Sequence, residues 1–225
     1  MTTIRTVATH DLVQALHPRP PTEVDQVGMA TGRAIDSALA QSNYEQRQGR
    51  RPTLSATVRH ATELLDEGLA EVDTELDAAA RDRLLREITG VITAFRKSEL
   101  AGLLRPKSRL ILIAEEVGVY AQPDFWNGRD RVYEMKSYRA EPIPEDVGLQ
   151  LGMFQLAFHE CTAMLVCFDR HAEPVPTLVR ELPALDEERR ASLIQTAYRL
   201  GRELGTPKVL EYIDSPTVRY SLPVG

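Results

Sequence analysis

Three polar residues with complementary charges lie near one another in a stretch of the chain that otherwise has strand-forming character. Asp124 precedes Glu134 by ten residues and Lys136 by twelve. Side chains two positions apart on a strand leave the same face, so Glu134 and Lys136 point together if residues 131–138 are extended. The Asn127–Gly128 pair predicts a hairpin turn before this strand. Such a hairpin would place Asp124 alongside the other two residues.

Two carboxylates and one ammonium on the same patch of sheet are typical of a metal-dependent phosphodiesterase. Neighbouring carboxylates repel each other and resist losing water, and a divalent cation removes that conflict. Hard oxygen ligands favour Mg²⁺ or Mn²⁺, which polarise a phosphoryl oxygen and lower the pKa of bound water. The ammonium of Lys136 would position the attacking water or stabilise the charge of the transition state.

The use of lysine in this chain supports a special role for Lys136. The chain has 27 basic residues, of which only four are Lys: Lys97, Lys107, Lys136 and Lys208. Arg is a delocalised fork with a permanent charge, whereas Lys is a compact ammonium whose pKa can be shifted. Position 136 is one where Arg could not replace Lys in the proposed chemistry, and there this chain, which otherwise prefers Arg, has Lys.

This arrangement resembles the PD-(D/E)XK nuclease superfamily. Pro123-Asp124 and Glu134-Met135-Lys136 match the motif that gives the superfamily its name. The likeness implies a restriction-endonuclease-like α/β core, with a mixed central β-sheet flanked by helices. It also implies metal-dependent hydrolysis of DNA.

Two further elements resemble the RecB-like and phage-type exonuclease branch. Gln150 is followed four residues later by Phe154, where that branch has Gln-x-x-x-Tyr on the helix after the Glu-x-Lys strand. Gly32 is followed four residues later by Asp36, which is similar to the Gly-x-x-x-Glu of the phage-type relatives with a shorter acid. The four elements span residues 32–154 in the order of the family.

The resemblance implies a role for each matched residue. Asp124 and Glu134 would hold Mg²⁺ or Mn²⁺, with the backbone carbonyl of Met135 as a third oxygen. Asp36 would contact the metal through water or complete a second site. Lys136 would orient the attacking water or help to deprotonate it. Gln150 would steady Lys136 or touch the substrate backbone.

Basic and aromatic side chains near the motif are candidates for binding DNA. Residues 96–139 carry nine Lys or Arg against six Asp or Glu, so this segment is more basic than the chain as a whole. Such charges contact phosphates, and aromatic rings stack on the bases of single strands. The candidates closest to the motif are Arg129, Arg131, Arg139, Trp126 and Tyr138. Among the aromatic residues, Trp126 beside the turn is expected to be the most accessible.

Overall charge and composition restrict the other classes of function. The net charge of −6 argues against broad coating of nucleic acid. Cys161 and Cys167, the only cysteines, are too few for a four-Cys iron–sulfur cluster, and no zinc-like spacing of His and Cys occurs. No apolar run of membrane-spanning length and no secretion signal is visible, which predicts a cytoplasmic protein without membrane contact.

The pattern of elements predicts one nuclease domain. Residues 1–25, punctuated by proline, are expected to form an irregular lead-in to a single domain at 26–225. Within it, residues 26–105 read as a helical part and 106–225 as the sheet core, beginning with a three-stranded meander. Apolar residues at helical spacing predict helices near 27–48, 52–68 and 76–100. Further helices are expected near 145–158 and 185–204, with strands at 162–168 and 177–181.

These observations favour an exonuclease that acts on ends or single strands of DNA, in recombination, repair or phage and plasmid DNA processing. Three alternatives remain open. The chain would be an endonuclease of the same superfamily, of restriction or junction-resolving type, if it cuts internal sites. It would be a nucleic-acid-binding module if it has lost the chemistry. It would be a subunit active only with a helicase or recombination partner if it needs a motor that it lacks. Nothing in the sequence marks an oligomer interface, although an oligomer is compatible with it.

Overall fold

A computed structural model describes residues 2–18 and 23–223. The helices of this part of the chain are α1 (Thr9–Leu16), α2 (Glu23–Arg47), α3 (Leu54–Glu71), α4 (Ala78–Phe95), α5 (Glu145–Ala157), α6 (Glu187–Leu204) and a short 3-10 helix (Leu210–Tyr212). The strands are β1 (Thr3–Ala8), β2 (Arg109–Ile113), β3 (Val117–Ala121), β4 (Phe125–Trp126), β5 (Arg131–Lys136), β6 (Thr162–Phe168), β7 (Thr177–Glu181), β8 (Thr206–Val209) and β9 (Thr217–Tyr220).

The strands form two mixed sheets. Five strands pair in the order β8-β1-β3-β2-β9, and four pair in the order β4-β5-β6-β7. In the second sheet β5 is parallel to β6 and antiparallel to β4, while β7 is antiparallel to β6. Helices flank both sheets, so the predicted α/β class is confirmed, although the strands are divided between two sheets.

Two apolar cores hold the helices against these sheets. The first core joins α1, α5 and α6 to β2, β3 and one face of β5 and β6. The second core joins α2, α3 and α4 to the opposite face of β5 and β6. Strand β5 therefore lies between two helical layers, with α5 on one side and α2 to α4 on the other. Alternate residues of β5 face different layers, as the two-residue period of a strand requires.

Polar caps mark where three of the long helices begin. Thr53, Asp77 and Asp186 each accept a backbone N–H from the third residue further on, at the starts of α3, α4 and α6. Such side-chain acceptors satisfy amide groups that have no partner within the helix. The helices predicted from apolar spacing are confirmed, with boundaries that differ by several residues at most. The strands predicted at 162–168 and 177–181 are confirmed as β6 and β7.

The expectation of an irregular lead-in over residues 1–25 is wrong where the structure describes that segment. Residues 3–8 form β1, which pairs in parallel with β3 and antiparallel with β8. Its Ile4 and Val7 are buried. The sheet core is therefore not confined to 106–225, because β1 lies inside the five-stranded sheet. Residues 19–22 lie outside the described residues.

The predicted three-stranded meander is also corrected. Strands β2 and β3 form an antiparallel pair in the five-stranded sheet, whereas β4 and β5 pair in the four-stranded sheet. The chain changes sheets at residues 122–124, so β5 pairs with β4 and β6 and not with β2 or β3. The hairpin between β4 and β5 is confirmed. Gly128 occupies its turn at φ +79°, a left-handed conformation that favours glycine.

Cys161 and Cys167 are both buried free thiols that pack in the first core as small apolar residues. None of the helices in the described residues combines the length and apolarity needed to cross a bilayer.

Candidate functional site

The side chains of Glu134 and Lys136 leave the face of β5 that is covered by α5. Their neighbours Tyr133 and Met135 point the other way, into the core formed with α2 to α4. Glu134 is only 3% exposed, and its Oε1 lies 2.5 Å from Nζ of Lys136. The sequence prediction that the two residues share one face follows directly from strand periodicity. The structure adds that the pair is largely buried.

Gln150 of α5 completes the surroundings of Lys136. Its Oε1 lies 3.3 Å from Nζ of Lys136, so that one ammonium donates to both Glu134 and Gln150. Burial alone would lower the pKa of Lys136, but the charge of Glu134 and the hydrogen bond to it raise that pKa above its ordinary value. Lys136 is therefore held as an ammonium, which orients groups and stabilises negative charge but has no lone pair to accept a proton.

Asp124 is held beside this pair by the backbone of β5. The pairing of Phe125 with Tyr133 leaves Asp124 just beyond the end of the β4–β5 ladder. There its Oδ2 accepts the N–H of Met135 over 2.8 Å. The backbone N–H of Met135 thus holds the carboxylate of Asp124 beside Glu134 and Lys136, where the predicted hairpin was expected to place it.

The environment of Asp124 opposes its charge. Burial, and then the nearby charges of Glu134 and Asp36, raise the pKa of Asp124 well above its usual range. Carboxylates that repel one another in a site shielded from water are the situation that bound cations relieve. The electrostatics of the site therefore match the reason for predicting a metal there.

Arg105 supplies one cation to this site. Its Nη2 lies 2.6 Å from Oδ2 of Asp36 and 3.2 Å from Oδ1 of Asp124. The segment before β2 therefore links α2 to the β4–β5 hairpin. The structure brings Asp36 near the motif, and the guanidinium of Arg105 forms the contact between Asp36 and Asp124. Arg105 belongs to the basic segment 96–139, and nothing in its spacing distinguishes it from the other basic residues there.

The donor atoms suit a hard cation in part. Within the described part of the chain, Oε2 of Glu134 and Oδ1 of Asp36 are buried without a hydrogen-bond partner. Within residues 2–18 and 23–223, no three His, Cys, Asp or Glu side chains are grouped closely enough to hold a metal ion. The three-carboxylate arrangement is therefore not assembled. Asp124 and Glu134 remain as a two-carboxylate set, and Mg²⁺ commonly takes one or two protein carboxylates with water.

The backbone carbonyl of Met135 is placed on the appropriate edge of β5. In an antiparallel ladder one residue directs its N–H and its C=O toward the same partner strand. Since the N–H of Met135 reaches Asp124 beyond the end of β4, its carbonyl faces the same gap. This orientation favours the expected third oxygen ligand.

Two of the candidate DNA-binding arginines lie at the other end of β5. Arg131 begins the strand and Lys136 ends it, which separates them by roughly 16 Å at about 3.3 Å per residue. Arg131 pairs loosely with Glu99, and the backbone N–H of Arg129 donates to Asn127 within the turn. The structure therefore does not bring Arg129 and Arg131 to the carboxylates.

The remaining candidates differ in position. Tyr138 and Arg139 follow the end of β5, and Tyr138 is exposed over 36% of its surface. Arg139 donates to Glu141. Trp126 packs partly buried against the first core, and its Nε1 has no hydrogen-bond partner among the residues that the structure describes. The expectation that Trp126 is the most accessible aromatic residue is wrong, because the hairpin directs its ring toward the first core.

A large cavity elsewhere does not coincide with the site. It measures about 1220 Å³ and lies between α4, β6, β7 and the loop after β6. Its wall includes Val166, which belongs to the core on the opposite face of the sheet from Glu134. Arg170 lines the cavity, and its Nη1 lies 3.4 Å from Oγ of Ser137, the residue after Lys136.

Comparisons with known proteins give no family for the chain. No protein-family model and no curated protein matches it. A crystal structure of SSO0001 has 14% sequence identity and a TM-score of 0.34, with coverage of 88% of this chain and 85% of that one. The "Putative exonuclease" from Eubacterium rectale has 8% identity and a TM-score of 0.43, with coverage of 85% and 88%. TM-scores and identities this low carry no argument about fold or activity.

Proposed function

We propose that the protein is a metal-dependent nuclease that hydrolyses DNA phosphodiester bonds, acting from ends or on single strands. The observation that carries this proposal is the grouping at the end of β5. Glu134 and Lys136 leave one face, Gln150 contacts Lys136, and Asp124 is fixed by the N–H between them. This grouping has the elements that phosphodiester hydrolysis needs.

The expected ligands of a Mg²⁺ or Mn²⁺ ion are Asp124, Glu134 and the carbonyl of Met135. Such an ion, when bound, polarises the phosphoryl oxygen and lowers the pKa of bound water. Glu134 offers Oε2, which has no hydrogen-bond partner in residues 2–18 and 23–223. Asp124 is anchored through Oδ2 and shares Oδ1 with Arg105.

Lys136 is proposed to orient the attacking water and to stabilise the negative charge of the transition state. Its contacts with Glu134 and Gln150 support this role, because they hold the ammonium in one place beside Asp124. Gln150 is proposed to steady the ammonium from α5. Tyr138 and Arg139, just beyond the end of β5, are the candidates for contact with the DNA strand.

Degradation of three forms of DNA tests this proposal. End-labelled linear, covalently closed circular and single-stranded DNA are incubated with Mg²⁺, Mn²⁺ or EDTA, using the wild type, Lys136→Ala and Lys208→Ala. Lys208 is an exposed lysine on β8 of the other sheet and serves as the matched control. We expect metal-dependent loss of linear and single-stranded DNA with the wild type and with Lys208→Ala, and none with Lys136→Ala.

Each of the other outcomes would favour one of the alternative functions. Cutting of closed circles would indicate an endonuclease of the same superfamily. Absence of cutting with either metal, together with metal binding by calorimetry, would favour a subunit that needs a helicase or recombination partner. Absence of both cutting and metal binding would leave a nucleic-acid-binding module and would overturn the proposal of catalysis.

A further inference from the structure

Arg105 joins two acidic residues that are far apart in the chain. A single nitrogen, Nη2, lies 2.6 Å from Oδ2 of Asp36 and 3.2 Å from Oδ1 of Asp124. Asp36 belongs to α2, whereas Asp124 precedes β4, so this contact exists only because α2 packs against the four-stranded sheet. Both ion pairs lie next to the proposed reaction centre.

Most of the hydrogen-bonding capacity of Arg105 remains unused. A guanidinium carries five N–H donors in a planar fork. Within the part of the chain that the structure describes, its hydrogen bonds are formed by Nη2 alone. The side chain is 37% exposed, so the unused donors belong to a group that a substrate can reach. A fork of this kind matches the oxygen atoms of a phosphate.

Asp36 is better placed to hold Arg105 than to bind a metal. Its Oδ2 makes the shorter of the two ion pairs, and no three-acid group exists among the described residues. Aspartate is one methylene shorter than the glutamate of the pattern that the Gly32–Asp36 segment resembles. Among the described residues its Oδ1 is buried without a hydrogen-bond partner, which leaves one oxygen of Asp36 able to bind a metal, and metal binding by Asp36 is therefore measured directly.

We propose that Arg105 binds the phosphate of the DNA strand at the reaction centre, and that Asp36 is its positioning residue rather than a metal ligand. A cation on Asp124 repels the guanidinium that shares this carboxylate. Arg105 then keeps its shorter ion pair, to Asp36, and directs its unused donors toward the phosphate. This inference rests on the proposed nuclease function, because it takes the strand to pass beside Asp124 and Glu134.

Binding of DNA without turnover tests the role of Arg105. Fluorescence anisotropy of a labelled single strand is measured with Mg²⁺ in the Lys136→Ala background, where no cutting is expected. Adding Arg105→Ala should weaken binding about ten- to hundredfold, the range for a lost hydrogen bond to a charged group. Arg105→Lys should restore little, since an ammonium lacks the fork. Lys107→Ala, which removes an exposed charge two residues away, should change binding less than threefold.

Calorimetric titration with Mg²⁺ tests the role of Asp36. Asp36→Asn should leave the affinity for Mg²⁺ unchanged and should weaken DNA binding. The double variant Asp36→Asn/Arg105→Ala should bind DNA no more weakly than Arg105→Ala, because the two residues act as one unit. A tenfold loss of Mg²⁺ affinity in Asp36→Asn, with DNA binding unchanged in Arg105→Ala, would overturn the inference.

The two proposals can fail separately. If the wild type cuts DNA and Arg105→Ala binds and cuts equally well, the inference about Arg105 is wrong and the nuclease function stands. If the wild type binds DNA through Arg105 but neither cuts any form of it nor binds metal, the phosphate contact stands and the proposed catalysis is wrong. If the wild type binds no DNA, both are wrong.

Discussion

The backbone N–H of Met135 donates to Oδ2 of Asp124 over 2.8 Å, so the peptide between Glu134 and Lys136 itself fixes the second carboxylate. One short strand thereby controls three groups at once. Two of them, Glu134 and Lys136, project from its face, and the third is attached to its edge.

Lys136→Ala should separate metal binding from hydrolysis. The variant should lose detectable cutting and retain Mg²⁺ binding in calorimetry, because the carboxylates remain. It should also lose about 3 kcal/mol of stability in EDTA, since the charge of buried Glu134 is left without its partner. Added Mg²⁺ should raise its melting temperature. Loss of metal binding together with activity would show that Lys136 is needed to build the site rather than to act in it.

Asp124→Asn should alter the dependence of stability on pH. In the folded protein the pKa of Asp124 is raised, so the folded state binds a proton where the unfolded state does not. The free energy of unfolding of the metal-free wild type should therefore fall as the pH rises from about 4, the ordinary carboxyl pKa, through the raised value. Urea unfolding in EDTA at several pH values measures this contribution.

Asp124→Asn should lack this contribution, be at least as stable as the wild type in EDTA near neutral pH, and lose metal binding. The fully exposed Asp214 gives a control, and Asp214→Asn should follow the wild type. A strongly destabilised Asp124→Asn would instead show that the charge of this carboxylate is needed to hold Arg105 and the end of β5 in place.

Gln150→Ala should reduce kcat by about tenfold, because Lys136 loses one of the two acceptors that orient it and retains its partner Glu134. Affinity for Mg²⁺ should not change. Gln155 lies on the same helix and donates to the carbonyl of Pro183, so Gln155→Ala controls for changes in α5. Equal rates for Gln150→Ala and Gln155→Ala would exclude a role for Gln150 in positioning Lys136.

Trp126 and Tyr138 should respond differently to truncation. Trp126→Ala should lower the free energy of unfolding by about 3 kcal/mol, because the ring packs against the first core. Trp126→Phe should keep wild-type affinity for single-stranded DNA in anisotropy measurements. Tyr138→Ala should weaken that affinity about tenfold if its exposed ring stacks on a base. Weaker DNA binding by Trp126→Phe, with Tyr138→Ala unaffected, would contradict this assignment.

Local spacing was sufficient to predict much of the site. Glu134 and Lys136 share a face because strand side chains alternate, and this holds whatever the strand packs against. The Asn127–Gly128 pair predicted the hairpin that brings Asp124 close, since few residues suit its left-handed turn. The long helices and the strands β6 and β7 were likewise evident from apolar period and capping residues.

Long-range contacts were decided only in the tertiary structure. The sequence does not show that Arg105 reaches Asp36, 69 residues away, or that the predicted meander divides between two sheets. Nor does it show that residues 3–8 join a sheet, or that Trp126 turns inward. Each of these depends on which surfaces pack together, and burial of apolar area selects among many partners of similar local propensity. The sequence by itself determined that Glu134 and Lys136 share one face of a strand, because side chains alternate along any strand. The packing of α2 against the four-stranded sheet decided that Arg105 lies between Asp36 and Asp124.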